Sequence, residues 1–300
     1  MIIDAHCHVF ANPRIKYLPD GCPFMSAEEQ ISIMDTEGID KAVILPMCNP
    51  DVLTEMQGIN EILAICETWP GRFIPFCNVD PRLKGSVFYQ TDAAHFEFIL
   101  NQYKQLGCKG LGEICANIYW DDPVLLELFK ACEKIGFPVT FHTTIADSKD
   151  YGLIDDIGFP RFEKVLKQFP SLNFFCHSQA FWSEISGAVT KEDKIGYPTG
   201  PVEPGGAIVR LFRSYPNLYG DISAGSGINS LMRDPEFGYK FIDEFQDRLL
   251  FGLDYCSPAD KRPHIRWLKD AKNAGHITTP AYEKIMYKNI AGILNLDIDN

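Results

Sequence analysis

Short apolar runs recur along the chain at residues 2–5, 42–45, 73–79, 109–113, 138–142, 172–177, 218–222 and 249–253. Each is rich in Val, Ile, Leu or Phe, the pattern of a strand buried on both faces. Between and after them lie stretches at 28–37, 59–69, 93–106, 124–135, 161–169, 206–215, 237–245 and 261–274 whose apolar residues return every three or four positions. That period marks amphipathic helices. Gly38, Gly107, Gly136 and Gly275 each follow a helical pattern, where a left-handed cap is wanted. Strand and helix in strict alternation predict parallel pairing through right-handed crossovers, and eight such units predict a closed (β/α)8 TIM barrel. No composition shift divides the chain, so residues 1–300 are expected to form a single barrel domain, with residues 281–296 as additional C-terminal helices.

The polar residue ending each run carries the chemistry. The first run leads into His6 and His8, the fourth into Glu113, the fifth into His142, the sixth into His177 and the eighth into Asp254. Four of the seven histidines thus fall at C-terminal strand ends, the rim of a barrel where active sites sit. Residues two apart on a strand share a face, so His6 and His8 project together. Two imidazoles on one rigid strand are half of a coordination shell for a divalent ion.

This set resembles the amidohydrolase-related ("amidohydrolase 2") family of the metal-dependent amidohydrolase superfamily. Its signature is H-x-H on strand one, His on strands five and six and Asp on strand eight, all present here in order. The resemblance implies that His6, His8, His142 and Asp254 ligate one divalent metal, zinc in the first instance and manganese as the alternative. It makes His177 a further ligand or a catalytic base, and Asp254 the group that takes a proton from water. Glu113 stands where superfamily members with two metals place a bridging carboxylate; otherwise it accepts the second N–H of a ligating imidazole.

Members of the family include lactone and amide hydrolases, hydratases and non-oxidative decarboxylases. The expected function is therefore metal-dependent hydrolysis of an amide, lactone or ester bond of a small molecule by an activated water. The alternative is a decarboxylase of an aromatic or related acid, in which His177 or Asp254 protonates carbon. A reading of another class is a catalytically inactive metal-binding barrel.

Composition narrows the partners. With 40 acidic and 28 basic residues the net charge is −12, which disfavours nucleic acid and anionic membranes and leaves a small-molecule substrate. A homo-oligomer is compatible with the sequence. Ten cysteines without a C-x-x-C pair read as reduced thiols, and the absence of a signal pattern adds an expected cytoplasmic location. Two long connections, 9–25 with Arg14, Lys16 and Tyr17, and 178–204 with Phe181, Trp182, Lys191, Lys194 and Tyr197, are expected to cover the rim as a lid. Loop position makes Arg14, Trp120 and Tyr255 candidate substrate contacts, with Arg233 as another carboxylate fork. Ser223–Gly227 lies in the loop after the seventh run, where some barrels form a phosphate site, but it lacks a helix-opening glycine pattern, and His95, His264 and His276 read as surface or capping residues.

Overall fold

The computed structural model describes residues 1–16, 21–52, 56–84 and 91–298. Tyr17, expected on the rim, lies outside the described residues. Three parallel strands, β1 (Ile3–Cys7), β2 (Lys41–Ile44) and β3 (Phe73–Pro75), form one ladder. A second runs through β4 (Leu111–Ile114), β5 (Val139–Thr144), β7 (Phe174–His177), β8 (Leu218–Asp221) and β9 (Leu249–Leu250). The short β6 (Leu153–Ile154) pairs with β5 off this path.

Backbone hydrogen bonds from Cys77 N to Gly110 O (3.0 Å) and from Gly112 N to Cys77 O (2.9 Å) join the ladders on one side. On the other, Ala5 N donates to Phe251 O (2.8 Å) and Asp254 N to His6 O (3.0 Å). The sheet thereby closes on itself, and the chain is an α/β protein with the (β/α)8 TIM-barrel fold.

The outer helices start and stop where local chemistry dictates. In α1 (Ala27–Glu37), Ser26 and Glu29 form a reciprocal capping box, and Gly38 ends the helix at φ +74°. The next two are α2 (Ile59–Thr68) and α3 (Ala93–Gln105). In α4 (Pro123–Ile135), Asp122 caps the N-terminus, Pro123 opens the first turn and Leu125, Leu128, Phe129 and Cys132 form the buried stripe. Further on come α5 (Pro160–Gln168), α6 (Gln179–Trp182), α7 (Lys191–Lys194), α8 (Ala207–Ser214), α9 (Ala224–Met232), α10 (Pro235–Phe245), α11 (His264–Asn273), α12 (Thr279–Glu283) and α13 (Asn289–Leu294). The last two are the expected C-terminal additions, joined by a π-turn at Lys284–Lys288. Among the described residues, no helix is long and apolar enough to cross a membrane.

The barrel's interior is plugged from below. Ile3 and Ala5 pack with Val43, Ile74, Phe76, Phe175 and Leu250, and α13 supplies Ile290 and Leu294 to the same cluster. Cys7, by contrast, belongs to the outer core between strands and helices. The side-chain parity of β1 therefore switches, and the β1–β2 register shift between Asp4 and Cys7 marks where. Such an irregularity re-aims side chains at a rim. Here it lets both the plug residues and the two histidines above them face inward.

Two expectations about connections change. Residues 223–227 are not a loop: α9 begins at Ala224, and a Cβ on Gly227 would lie 2.3 Å from the Ile222 carbonyl. The glycine permits close packing of helix on strand end. Residues 178–204 are only partly a cover, because Phe181 and Trp182 are buried and Trp182 Nε1 donates to Asp221 O at 2.8 Å. Lys194 is also buried, paired with Glu184 and lying 4.1 Å above the Phe159 ring. All ten cysteines are free.

Candidate active site

Strand ends bring six predicted residues to one mouth. His6 Nδ1 lies 2.6 Å from Asp221 Oδ2, and His8 Nδ1 lies 2.9 Å from Leu45 O. A carbonyl and a carboxylate only accept, so both imidazoles carry a proton on Nδ1, and their Nε2 atoms face each other 2.9 Å apart. At that distance a proton or a metal ion must lie between them.

The neighbouring carboxylates complete such a cage. Glu113 Oε2 is 3.3 Å from His8 Nε2 and 3.8 Å from His6 Nε2, and Asp254 Oδ1 is 3.8 Å from both. A divalent ion bonded at about 2.0–2.2 Å to N and O holds its ligand atoms roughly 3–3.5 Å apart. His6, His8 and Glu113 form one candidate ligand group, and His6, His177 and Asp254 form another that shares His6.

The register of β5 on β7 sets His142 directly beside His177. Glu113 links this pair to the first, since its Oε1 lies 3.1 Å from His142 Nδ1, and Glu113, His142 and His177 form a third candidate group. His142 Nε2 is buried without a hydrogen bond, 3.9 Å from Asp150 Oδ2. A buried imidazole nitrogen without a hydrogen-bond partner is one that a metal or ligand can satisfy. His177 is held at Nδ1 by Ser223 Oγ at 2.9 Å, while its Nε2 faces Asp254 Oδ2 at 3.5 Å.

Electrostatics agree with the geometry. Burial works against a charge on His6, yet Asp221, Asp254 and Glu113 push it up to about 10. His142, opposed in the same way by burial, is lifted to about 9 by Asp150 and Glu113. Burial would raise the Glu113 carboxyl, but His142, His8 and His6 hold it well below the usual carboxylate range. The cluster thus calls for positive charge, which a divalent cation supplies. His177 goes the other way: burial and the neighbouring His6 lower it to about 4, leaving a neutral imidazole.

Residues 3–296 match the family described as Amidohydrolase. The chain belongs to the amidohydrolase family. No curated protein matches the sequence. Among solved structures, this amidohydrolase is similar to an uncharacterized TIM-barrel protein, Bb4693, from Bordetella bronchiseptica (TM-score 0.65, 21% identity, 98% of each chain covered). It is also similar to a probable 2-pyrone-4,6-dicarboxylic acid hydrolase from Acinetobacter baumannii (TM-score 0.58, 14% identity, 98% of this chain and 99% of that one). A third similar structure is the 5-carboxyvanillate decarboxylase LigW from Sphingomonas paucimobilis (TM-score 0.55, 17% identity, 90% and 83% covered). At these identities the likeness is one of fold.

A cavity of about 190 Å³ opens onto the amidohydrolase cluster. His8, Glu113, His142, His177 and Asp254 form its polar side. Phe24, Met47, Val52 and Cys256 form its apolar lining, and Tyr151, tilted against His142 with ring centroids 4.4 Å apart, also lines it.

The three expected substrate contacts are not in this cavity. Trp120 is fully buried among Phe141, Phe162 and Phe129, with Nε1 donating to Thr143 Oγ1, so it is core. Tyr255 is 1% exposed, and its hydroxyl donates to Glu37 and accepts from Arg262 N, because the residue after Asp254 turns to the outer side. Arg14 is exposed on its loop, away from the cavity lining. Arg233 lines a separate small pocket with Tyr197 and Ser226. His264 is not a surface residue: it is fully buried and donates from Nε2 to Ile222 O at 2.8 Å.

Sequence reasoning passed over Asp221 and Tyr151. Asp221 sits in Leu-Tyr-Gly-Asp-Ile, an acid inside an otherwise apolar strand, and that was its signal. Tyr151 had none, since it comes to the mouth through the turn preceding β6.

Proposed function

We propose that this amidohydrolase is a metal-dependent hydrolase that cleaves an amide, lactone or ester bond of a small molecule. His6, His8, Glu113 and Asp254 would hold a divalent ion, zinc by preference for two imidazoles and two carboxylates, with manganese as the alternative. Glu113, with one oxygen toward each histidine pair, would also serve a second ion beside His142. When bound, the ion supplies Lewis acidity that acidifies water and polarises an acyl carbonyl.

The observation that carries this reading is the double aspect of Asp254, whose Oδ1 faces the His6–His8 pair and whose Oδ2 faces His177. Asp254 is 15% exposed, open enough to meet water and close enough to pass a proton on. In the hydrolytic step Asp254 takes the proton that the attacking water gives up and delivers it toward the leaving nitrogen or oxygen. Neutral His177, fixed by Ser223 through Nδ1, offers Nε2 to the same proton or to the acyl oxygen. Tyr151 and His142, their rings in tilted contact, line the cavity beside it.

A second reading, non-oxidative decarboxylation, is favoured by one feature: the cavity joins an apolar lining of Phe24, Met47 and Val52, suited to a flat ring, to the ligand cluster, which would meet its carboxylate. Product analysis separates the two. Metal-loaded protein is incubated with a panel of small lactones, esters, amides and aromatic acids. Metal-dependent release of an acid from an acyl compound is expected; release of carbon dioxide from an aromatic acid without acyl cleavage would overturn hydrolysis in favour of decarboxylation.

A further inference from the structure

One face of α9 is polar where a packed helix usually turns an apolar stripe. Ser226, Asn229, Ser230 and Arg233 lie three, four and seven positions apart, so they share a face, while Ile228 and Leu231 are buried on the other side. The polar face looks onto the 178–204 connection. With Trp182, Tyr197 and Pro198 it lines a void of about 10 Å³, and none of these residues lines the cavity at the ligand cluster. Packing between the two is close, since a Cβ on Gly225 would come within 3.2 Å of Tyr197 Cε1.

Two of the four polar side chains are satisfied. Asn229 Nδ2 donates to Pro198 O at 2.9 Å, and Ser230 Oγ donates to Gly227 O at 2.6 Å. The other two are not: Arg233 Nε and Nη2 and Ser226 Oγ are buried without a hydrogen-bond partner, and Ser226 as a whole is 3% exposed. Nε and Nη2 form one edge of the guanidinium, the fork that grips an acceptor from the side. Nearby carboxylates are engaged elsewhere. Asp234 accepts from Phe237 N at 3.3 Å and from Val202 N at 3.1 Å, and Asp193 accepts from Thr190 N at 2.9 Å and Thr190 Oγ1 at 3.0 Å. Burial works against the charge on Arg233, and these two acids support it only through space.

A desolvated guanidinium edge needs an acceptor, and a negative one meets its charge as well. Water answers poorly, because a water that accepts two N–H groups must place its own two protons, and the third unpartnered group is a hydroxyl that can itself donate. An anion accepts from all three. The void has room for about one water-sized particle, too little for phosphate or sulfate. We propose that Arg233 Nε and Nη2, with Ser226 Oγ, bind one small monovalent anion of the halide class, and that this anion fastens residues 196–198 of the connection to α9. The site lies apart from the ligand cluster and holds whether or not that cluster binds a metal.

Bromide locates the site and chloride measures it. Crystals of the full chain soaked in sodium bromide, measured at the bromine absorption edge, should show an anomalous peak against Arg233 and Ser226; bromide peaks elsewhere with none at this position would overturn the proposal. In solution, thermal midpoints are compared in sodium chloride and, at equal ionic strength, in sodium gluconate, whose anion is too large for the void. The chloride-minus-gluconate difference should be about 2–3 °C larger in the unaltered protein than in Arg233→Met, which keeps the side chain's length and removes its charge. Ser226→Ala, which leaves the guanidinium in place, should need about tenfold more chloride for the same gain. An equal salt difference in the unaltered protein and Arg233→Met contradicts the proposal. Should Arg233→Met fail to fold, Ser226→Ala decides in its place, and an unaltered chloride response there is the contrary result.

Discussion

Barrel strands seven and eight each deliver an aspartate to the same imidazoles, and the two differ in how their oxygens are used. Asp221, on β8, is 1% exposed; its Oδ2 is bonded to His6 Nδ1 at 2.6 Å and its Oδ1 accepts from Ser223 N at 3.0 Å. Burial would raise its carboxyl, but His6 and His177 hold it below the usual range. Asp254 follows β9 at φ +51°, a left-handed conformation that Asp tolerates better than most residues. Its oxygens stand 3.5–3.8 Å from three imidazole nitrogens, beyond hydrogen-bond reach, and among the described residues its side chain accepts from the Cys256 thiol at 3.8 Å. A carboxylate saturated by the protein orients other groups; one left unsaturated at a cavity is available for ions and protons.

The largest expected effect follows from that difference. Asp254→Asn keeps size and removes the proton acceptor, and should lower turnover by about 10²–10⁴-fold. Steady-state rates on the substrate found in the panel check this, and near-normal turnover would end the role assigned to Asp254. Asp221→Asn should act through His6, costing about 10–100-fold in metal affinity or activity, with a measurable change in the ion dissociation constant. If it matched Asp254→Asn in turnover while binding the ion normally, the two aspartates would not differ as described.

The surroundings of Asp221 also predict a pH dependence. His264, which braces the strand end at Ile222, is lowered to about 4 by burial. An unfolded histidine takes up a proton near pH 6.5 and the folded one does not until about pH 4, so stability falls as pH drops through that window. Against His264→Gln, which keeps a donor for Ile222 O, the wild type should lose about 1.4 kcal/mol more between pH 7.5 and 5.5. Denaturant midpoints at the two pH values measure it, and parallel losses in both proteins would refute it. The smallest effect belongs to Ser223→Ala, which frees His177 Nδ1 from one hydrogen bond and should reduce turnover by several-fold.

Much of this arrangement was legible before any coordinates. Strand ends could be read because five of the eight apolar runs stop at a residue that is costly to bury without a partner, and those five stops, with His8 just past one of them, form the cluster. Contacts made across the barrel were not legible. Asp221 lies within a strand pattern, and only the closed sheet shows that it faces His6. Glycine and serine at 223–227 suggested a loop because propensity reads them as breakers, whereas tight packing on Ile222 favours a helix of small residues. Trp120 and Tyr255 were placed by loop position, which says nothing about the face a side chain takes, and both turn into packed interior.

The central claim is that imidazoles and carboxylates from separate strands form a cage for a divalent ion. Metal content by inductively coupled plasma mass spectrometry, on protein purified without added metal and on a His6→Ala/His8→Ala variant, tests it most directly. The account predicts about one or two equivalents of zinc or manganese per chain in the wild type and near-complete loss in the variant. An ion-free wild type that takes up none from buffer, or a variant that keeps its ion, would contradict it.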